Sequence, residues 1–310
     1  MTSEMAVDLV GIGDQTGRTF VVTGCTSGIG QHTVLELARH GARVVLAARS
    51  ADKLTDTAAT IRREVPDADL ERVVVDLSDL DSVRHGAAEA ARLGPIDVLV
   101  NNAGVMATRR QRTVDGLDLQ MATNHFGPFL FTGLLLPSLV AAGDARVVTV
   151  SSNGHRMARR APLGDPRTEP RRYSRWGVYG QTKLANLLFT YELDRRAREA
   201  GLPITATAAH PGYSATHLLS YGQTMQGGGG VASILDATMR ATAQSAGMGA
   251  LPTLMAATAE LPSGTYVGPD GIGEWRGSPQ VVTSSRLSRD PDAARRLWEI
   301  SEETVGLHWP

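Results

Sequence analysis

Residues 18–30 read RTFVVTGCTSGIG: a β-branched run, a glycine turn, and the opening of a helix that continues to about His40. Glycine lets the chain turn tightly at the strand end. The turn brings free backbone N–H groups and the positive end of the helix dipole to one point, which favours an anion there. A glycine cluster alone is weak evidence. Here it lies between a strand and a helix, and a second strand (RVVLA, 43–47) and a second helix (52–64) follow. In that setting the turn is expected to hold the pyrophosphate of a dinucleotide, with Gly24, Ser27, Gly28, Ile29 and Gly30 as its contacts. Cys25, inside the turn, has no basic neighbour to lower its pKa and reads as filling rather than as a nucleophile.

The same rhythm runs outward. RVVV (72–75), IDVLV (96–100), RVVTV (146–150), ITATAA (204–209) and TYVG (265–268) read as further strands, with helices at 80–93, 179–200 and 291–305. Valine-rich strands alternating with helices imply βαβ units. The expected fold is α/β: a single-domain Rossmann fold, a doubly wound parallel sheet of about seven strands with helices on both faces. Two segments break the rhythm. Residues 153–176 are basic and Pro-containing, and read as a surface insertion. Residues 213–251 carry GGGG and scattered large apolar residues (Leu218, Leu219, Tyr221, Met225, Ile234, Leu235, Met239, Met248 and Leu251), and read as a substrate lid. Strands of one kind lie on both sides of each segment. Both therefore belong to one domain, with a nucleotide-binding half at about 18–150 and a catalytic and substrate half at about 151–310.

Composition narrows the function. The 310 residues carry a formal net charge of -1, 42% apolar and 20% charged residues, which is globular and gives no electrostatic case for nucleic acid. A single cysteine excludes an internal disulfide and a Cys-based zinc site, and no metal is expected. The N-terminus lacks a secretory pattern, so the expected location is cytoplasmic. Residues 126–143 (FGPFLFTGLLLPSLVAAG) are near the lower length limit for a membrane span. They contain Pro128 and Pro137 and lack flanking basic clusters, so a buried helix is expected and no membrane span.

The strand ends hold the next candidates. The second strand runs into Ala48, Arg49 and Ser50, where a carboxylate would select NAD by binding its ribose diol. A guanidinium there can fork onto a 2′-phosphate, so NADP(H) is preferred and NAD(H) is possible. A solvated arginine at a strand end is the bland alternative. The third strand ends at Asp76 and Leu77, placed to meet an adenine. The fourth ends in Asn101-Asn102-Ala103-Gly104, a turn beside the cofactor ribose.

Of the 31 basic residues only Lys53 and Lys183 are lysines. Lys183 lies four residues after Tyr179 on one helix face. An ammonium near a phenol favours phenolate, which would give an acid/base usable near neutral pH. The bland alternative is a solvated surface pair.

The glycine loop TGCTSGIG, NNAG at 101–104 and YGQTK at 179–183 together resemble the short-chain dehydrogenase/reductase family over about residues 18–270, the retinol-dehydrogenase-like branch being nearest. The resemblance implies hydride transfer between a nicotinamide and a carbonyl or alcohol, and the apolar lid suits a small hydrophobic substrate. The resemblance also implies four catalytic residues: Tyr179 as acid/base, Ser152 on the substrate oxygen, Lys183 on Tyr179 and the ribose, and Asn124 kinking the long helix and holding a water. Ser151 is the runner-up for Ser152. Pro211, Gly212 and Thr216, after His210, match the element that holds the nicotinamide carboxamide. The family also implies a possible homodimer or homotetramer through the tyrosine helix and the long apolar helix. His125, His155 and His217 match nothing and read as ordinary polar residues. One departure stands out: 27 positions separate Ser152 and Tyr179, where the family more often has about a dozen. A catalytically silent NADP-binding sensor or partner-binding protein is the alternative and predicts a broken catalytic set, whereas Asn124, Ser152, Tyr179 and Lys183 are all present. A sugar-nucleotide epimerase or dehydratase is disfavoured, because the spacing from Gly24 to Gly28 departs from its loop.

Overall fold

A computed structural model describes residues 10–168, 172–213 and 244–310. The elements in chain order are β1 (Thr19–Thr23), α1 (Gly28–Arg39), β2 (Arg43–Ala48), α2 (Ala51–Glu64), β3 (Leu70–Val74), α3 (Leu80–Ala91) and β4 (Val98–Asn101). A short turn (Leu119–Met121) and a π-helical turn (Ala122–Phe126) lead into α4 (Gly127–Ala141). Then come β5 (Ala145–Val150), a 3₁₀ turn (Asn153–Met157), α5 (Arg175–Glu199), β6 (Ile204–Ala209), α6 (Ala246–Thr258), β7 (Tyr266–Pro269), β8 (Pro279–Val281) and α7 (Pro291–Val305).

The strands form one sheet in the order β3-β2-β1-β4-β5-β6-β7-β8. β1 to β7 are parallel, and β8 pairs antiparallel with β7. β8 is an eighth strand beside the about seven expected. Its three residues, Pro-Gln-Val, are largely exposed and lack a strand's apolar pattern. Alternation along β1 sorts the two faces. Val21 packs with α3, α4 and α5, while Phe20 and Val22 pack with α1, α2 and α6. The order of connection reverses between β1 and β4, and in such sheets the ligand crevice opens there, at the C-terminal strand ends.

The long apolar stretch is a buried helix, as expected. Phe129, Leu130, Phe131, Leu135 and Leu139 of α4 are within the core. Among the described residues no helix is long and apolar enough to cross a membrane. α7 closes over α4 and α5 through an aromatic cluster. Trp298 lies 4.9 Å from Phe129 and 4.6 Å from Trp309 between ring centroids, and stacks on Phe189. Each such pair adds roughly 0.5–1.5 kcal/mol beyond its burial.

Two expectations need correction. The lid was drawn to residue 251, but 246–251 begin α6, a helix apolar on all sides that packs against α1 and the sheet. Leu251 is core, and Met248 packs against it. Residues 214–243 of the lid, including Leu218, Leu219, Tyr221, Met225, Ile234, Leu235 and Met239, lie outside the described residues, as does His217. The insertion, in turn, is not a plain solvated loop. Arg112 donates to the carbonyls of Pro166 and Arg167, and Arg167 donates to that of Thr304. Its last residues start α5 a turn earlier than expected, with the Ser174 hydroxyl capping Gly177 N–H.

His125 and His155 are structural. His125 sits among Phe126, Phe129 and Phe189 and meets Ser301 Oγ, and burial lowers its pKa to about 3. His155 accepts from Ser285 N–H, and burial lowers its pKa to about 4. Both rings are neutral in the fold and take up protons when it opens. Their contribution is complete above the unfolded value near 6.5 and is lost as pH falls through it toward 4. Near pH 5 the two give stability a slope of about 2.5 kcal/mol per pH unit. Denaturant melts between pH 7 and 4.5 should show that slope, and His125→Gln should roughly halve the histidine share. A slope unchanged in that variant would contradict the assignment.

Candidate active site

The glycine turn is built by close approach. Gly24 has φ +67°, and a Cβ there would lie 2.7 Å from Ala103 Cα. At Gly30 a Cβ would lie 2.4 Å from the Gly24 carbonyl and 2.5 Å from Asn102 Nδ2. Asn102 donates its amide to the Thr23 and Gly24 carbonyls, and the Thr23 hydroxyl accepts from the N–H groups of Asn102 and Ala103. The NNAG turn therefore braces the glycine turn from behind. Ser27, at the N-cap of α1, makes no capping bond, whereas Ser50, Asp79, Ser174 and Asp290 cap their own helices. The first N–H groups of the 12-residue α1 are left for an anion, which fits a dinucleotide pyrophosphate. Burial pushes the Cys25 thiol up to about 12, so it is an inert filler.

Around this turn the other strand ends gather. Arg49 is exposed at the end of β2, and Ser50 caps α2 by accepting from Lys53 N–H. Asp76 is half-buried, and one carboxylate oxygen accepts from the Ser78 amide and hydroxyl, which fixes its orientation. Leu77 is buried beside it. Pro211 and Gly212 follow β6, next to the end of β5. Thr216 lies outside the described residues.

Ser152 and Tyr179 meet in spite of their separation. The Ser152 hydroxyl accepts from Gly154 N–H at 3.0 Å. A Cβ on Gly154 would lie 3.3 Å from that oxygen and 2.9 Å from the Tyr179 ring. The 3₁₀ turn after Ser152 folds onto α5, so the extra chain loops out beyond the site. Ser151, the runner-up, donates to the Lys183 carbonyl and is buried, which leaves Ser152 facing the phenol. Lys183 donates to the Val150 carbonyl at 3.0 Å, with its Nζ 5.9 Å from the centre of the Tyr179 ring. Asn124 lies in the π-helical turn. Its amide donates to the Val105 carbonyl and the Thr182 hydroxyl, and its oxygen accepts from Val105 N–H. Its oxygen and Lys183 Nζ lie 3.1 and 3.5 Å from where a Cβ on Gly104 would stand.

The electrostatics differ from the expected pattern. Burial pushes the Tyr179 phenol above its ordinary value, and the Ser152 hydroxyl beside it pulls the other way. Burial lowers Lys183 to about 8. Desolvation penalises both charged forms, and for the phenol it is the largest influence. The phenol therefore keeps its proton at neutral pH.

Several contributors were not singled out from the sequence. Thr182, inside YGQTK, takes the Asn124 amide and donates to the Tyr179 carbonyl. Asn186, one turn beyond Lys183, shares the Val150 carbonyl with it. The Asn153 amide donates to the Gly273 carbonyl, which brings Glu274 and Trp275, in a glycine-rich segment with no periodic signal, against the turn after Ser152. Two cavities among the described residues, of about 440 and 250 Å³, lie along Tyr191, Ser284 and Asp290 and along Pro166 and Arg296; neither is lined by Ser152, Tyr179 or Lys183.

A nucleotide crevice with a serine, a tyrosine and a lysine at its edge defines a nicotinamide-dependent oxidoreductase. The chain belongs to the short-chain dehydrogenase/reductase family, which binds NAD(P), and it is retinol-dehydrogenase-like, an oxidoreductase acting on CH–OH donors. The short chain dehydrogenase family model matches residues 18–163. The chain is 36% identical to human "Retinol dehydrogenase 13" over 302 residues, covering 95% of this chain and 86% of that one. A solved structure from Mycobacterium paratuberculosis is 40% identical, has a TM-score of 0.80, and covers 97% of this chain and 98% of its own. A protein of Beutenbergia cavernae, described as an NAD(P)-dependent gluconate 5-dehydrogenase and solved with NADP at low occupancy, is 25% identical with a TM-score of 0.61 over 79% of this chain and 91% of its own.

Proposed function

We propose that this protein interconverts a hydrophobic alcohol and its aldehyde or ketone with NADP(H), and that Tyr179 moves the proton. The observation that carries the reading is the meeting of Ser152, Tyr179 and Lys183 at one edge of the dinucleotide crevice across a 27-position gap. A nicotinamide bound in that crevice supplies or takes the hydride. The residues do the rest. Ser152 orients the substrate oxygen, Tyr179 donates its proton in reduction, and Lys183 holds the ribose hydroxyls and steadies the phenolate left behind. Asn124, fixed on Val105 and Thr182, positions the lysine end of this group. The α1 N–H groups take the pyrophosphate, Asp76 and Leu77 the adenine, Asn102 to Gly104 the ribose, and Pro211 and Gly212 the carboxamide.

Arg49, exposed at the end of β2 where a carboxylate would select NAD, supports the NADP preference. Arg49→Ala should weaken NADPH by about tenfold to 150-fold, the worth of a charged hydrogen bond, and leave NADH within about twofold. Titration with the two dinucleotides checks this. Equal losses for both would contradict a role at the 2′-phosphate.

The rim supports an apolar substrate. Trp176, 48% exposed, stands edge-on to Tyr179, while Trp275 (51%) packs on Tyr213 beside the carboxamide turn. The retinol dehydrogenases to which the chain is similar carry the name of an apolar alcohol. The contact between copies expected through α5 and α4 meets α7, which lies across both within this chain. We therefore assign the catalytic unit to one chain. The test is NADPH consumption across a panel of apolar aldehydes and ketones. Turnover on that panel supports the reading, and its absence in a protein that still binds NADPH contradicts it.

A further inference from the structure

The loop from 270 to 278 joins β7 to β8; it carries the rim residue Trp275 but none of the catalytic or dinucleotide-binding residues assigned above. Its centre is conformationally costly. Gly273 has φ +64° and Glu274 φ +58°, and the second is a left-handed position held by a side chain that disfavours it. A non-glycine residue stays there only when its surroundings fix it, and such positions cluster at functional sites.

Glu274 is fixed from two sides. One carboxylate oxygen takes the His210 Nε2 proton at 2.9 Å, and the other lies 3.4 Å from Arg156 Nη2. Nδ1 of His210 accepts from Gly212 N–H at 3.2 Å, which leaves Nε2 as the donor of a neutral ring. The ring therefore spans from the carboxylate to the turn that follows it. The loop backbone repeats the connection: Tyr213 N–H donates to the Trp275 carbonyl at 2.7 Å, and the Asn153 amide donates to the Gly273 carbonyl at 3.1 Å. At Gly212, φ +64°, a Cβ would lie 2.5 Å from the Trp275 carbonyl, so the turn and the loop are in backbone contact. The hydrogen bond from His210 holds the Glu274 carboxyl below the usual range, so Glu274 is a carboxylate at neutral pH.

We propose that Glu274 is a positioning residue: its carboxylate, through His210 and Arg156, locks the Pro211–Gly212 turn to the 3₁₀ turn that follows Ser152. The assignment rests on the reading that the Pro211 turn meets the nicotinamide. The lock sets the nicotinamide side of the crevice and the Ser152 hydroxyl at a fixed spacing without touching either reactant. A misplacement of about 1 Å between reacting groups can cost 10²-fold in rate.

Glu274→Gly separates positioning from stability, because glycine accepts the left-handed backbone while deleting the carboxylate. Four quantities are measured: melting temperature, affinity for 2′-phospho-ADP-ribose (the nucleotide half without nicotinamide), emission of bound NADPH, and kcat. The expected result in Glu274→Gly is a melting temperature only a few degrees from wild type, because relief of the left-handed backbone partly offsets the lost hydrogen bonds, and a fragment affinity within about twofold. It also includes loss of most of the emission change of bound NADPH and a kcat lower by about tenfold or more. Glu274→Gln, which keeps an acceptor for His210, should recover most of the kcat. A variant that melts lower and loses fragment and NADPH affinity together would reduce Glu274 to a structural role and overturn the proposal. So would unchanged emission and kcat. If wild-type protein turns over but shows no emission change on binding NADPH, the placement of the nicotinamide at the Pro211 turn fails, and the role of Glu274 with it.

Discussion

In Tyr179→Phe, turnover should fall by about 10²–10⁴-fold, the usual worth of a positioned general acid. Dinucleotide affinity should stay unchanged. The ring contacts survive the substitution: Trp176 still meets the ring edge-on at 6.1 Å, and the Lys183 ammonium still lies 5.9 Å from its centre. Only the O–H is lost. The Ser152 hydroxyl keeps the bond from Gly154 N–H, so the change in stability should stay within about 1.5 kcal/mol. Because burial holds the proton on the phenol, reduction by the wild-type protein should be flat through neutral pH, and oxidation should rise with pH as the phenolate becomes accessible. A Tyr179→Phe protein retaining a tenth or more of wild-type turnover would place the acid elsewhere.

Lys183→Met should cost about a hundredfold in turnover and yet raise the melting temperature of the cofactor-free protein at pH 7. Lys183 is 5% exposed, and burial lowers its pKa to about 8. Its unfolded value is near 10.4, and each unit of difference is 1.36 kcal/mol, so keeping the ammonium charged in the fold costs about 3 kcal/mol at neutral pH. The unfolded chain binds the proton more tightly, so this cost is complete below pH 8 and disappears as pH rises toward 10.4. Methionine fills much the same volume with no charge. The Val150 carbonyl, which loses the lysine, still accepts from Asn186 Nδ2 at 3.1 Å. The melting temperatures of the two proteins should therefore differ most at pH 7 and converge near pH 10. A variant that melts below wild type at pH 7 would mean that the lysine's hydrogen bond outweighs its burial.

Much of this was legible in the sequence, for a physical reason. Parallel strands buried on both faces must be continuously apolar, so RTFVVT, RVVLA and RVVTV announce themselves, and a glycine turn between strand and helix has few other uses. The same reasoning failed where burial rather than pattern decides. Residues 246–258 form α6 because both its sides are covered, so it has no polar stripe to mark it, and Pro252 adds a misleading break. β8 is short and exposed. The polar residues His125 and His155 are core, which composition does not reveal. The Tyr179–Lys183 pair was readable from its spacing, yet the direction of the phenol's shift was not, because desolvation depends on what covers the pair. The strand end offers both Ser151 and Ser152, and only the family resemblance selects Ser152; its meeting with Tyr179 depends on how 26 intervening residues fold away. Glu274 left no sequence signal, since a left-handed non-glycine residue is visible only in the backbone.

In the proposed reaction Tyr179 protonates a carbonyl oxygen while the cofactor reduces the carbon beside it. The most direct measurement follows deuterium from NADPH labelled at nicotinamide C4 into the alcohol formed from an apolar aldehyde, read by product mass, with Tyr179→Phe alongside. One deuteron at the carbinol carbon is expected with wild-type protein, and loss of product in the variant. Bound, unconsumed NADPH across the whole series of aldehydes and ketones, or label transfer undiminished in Tyr179→Phe, would contradict it.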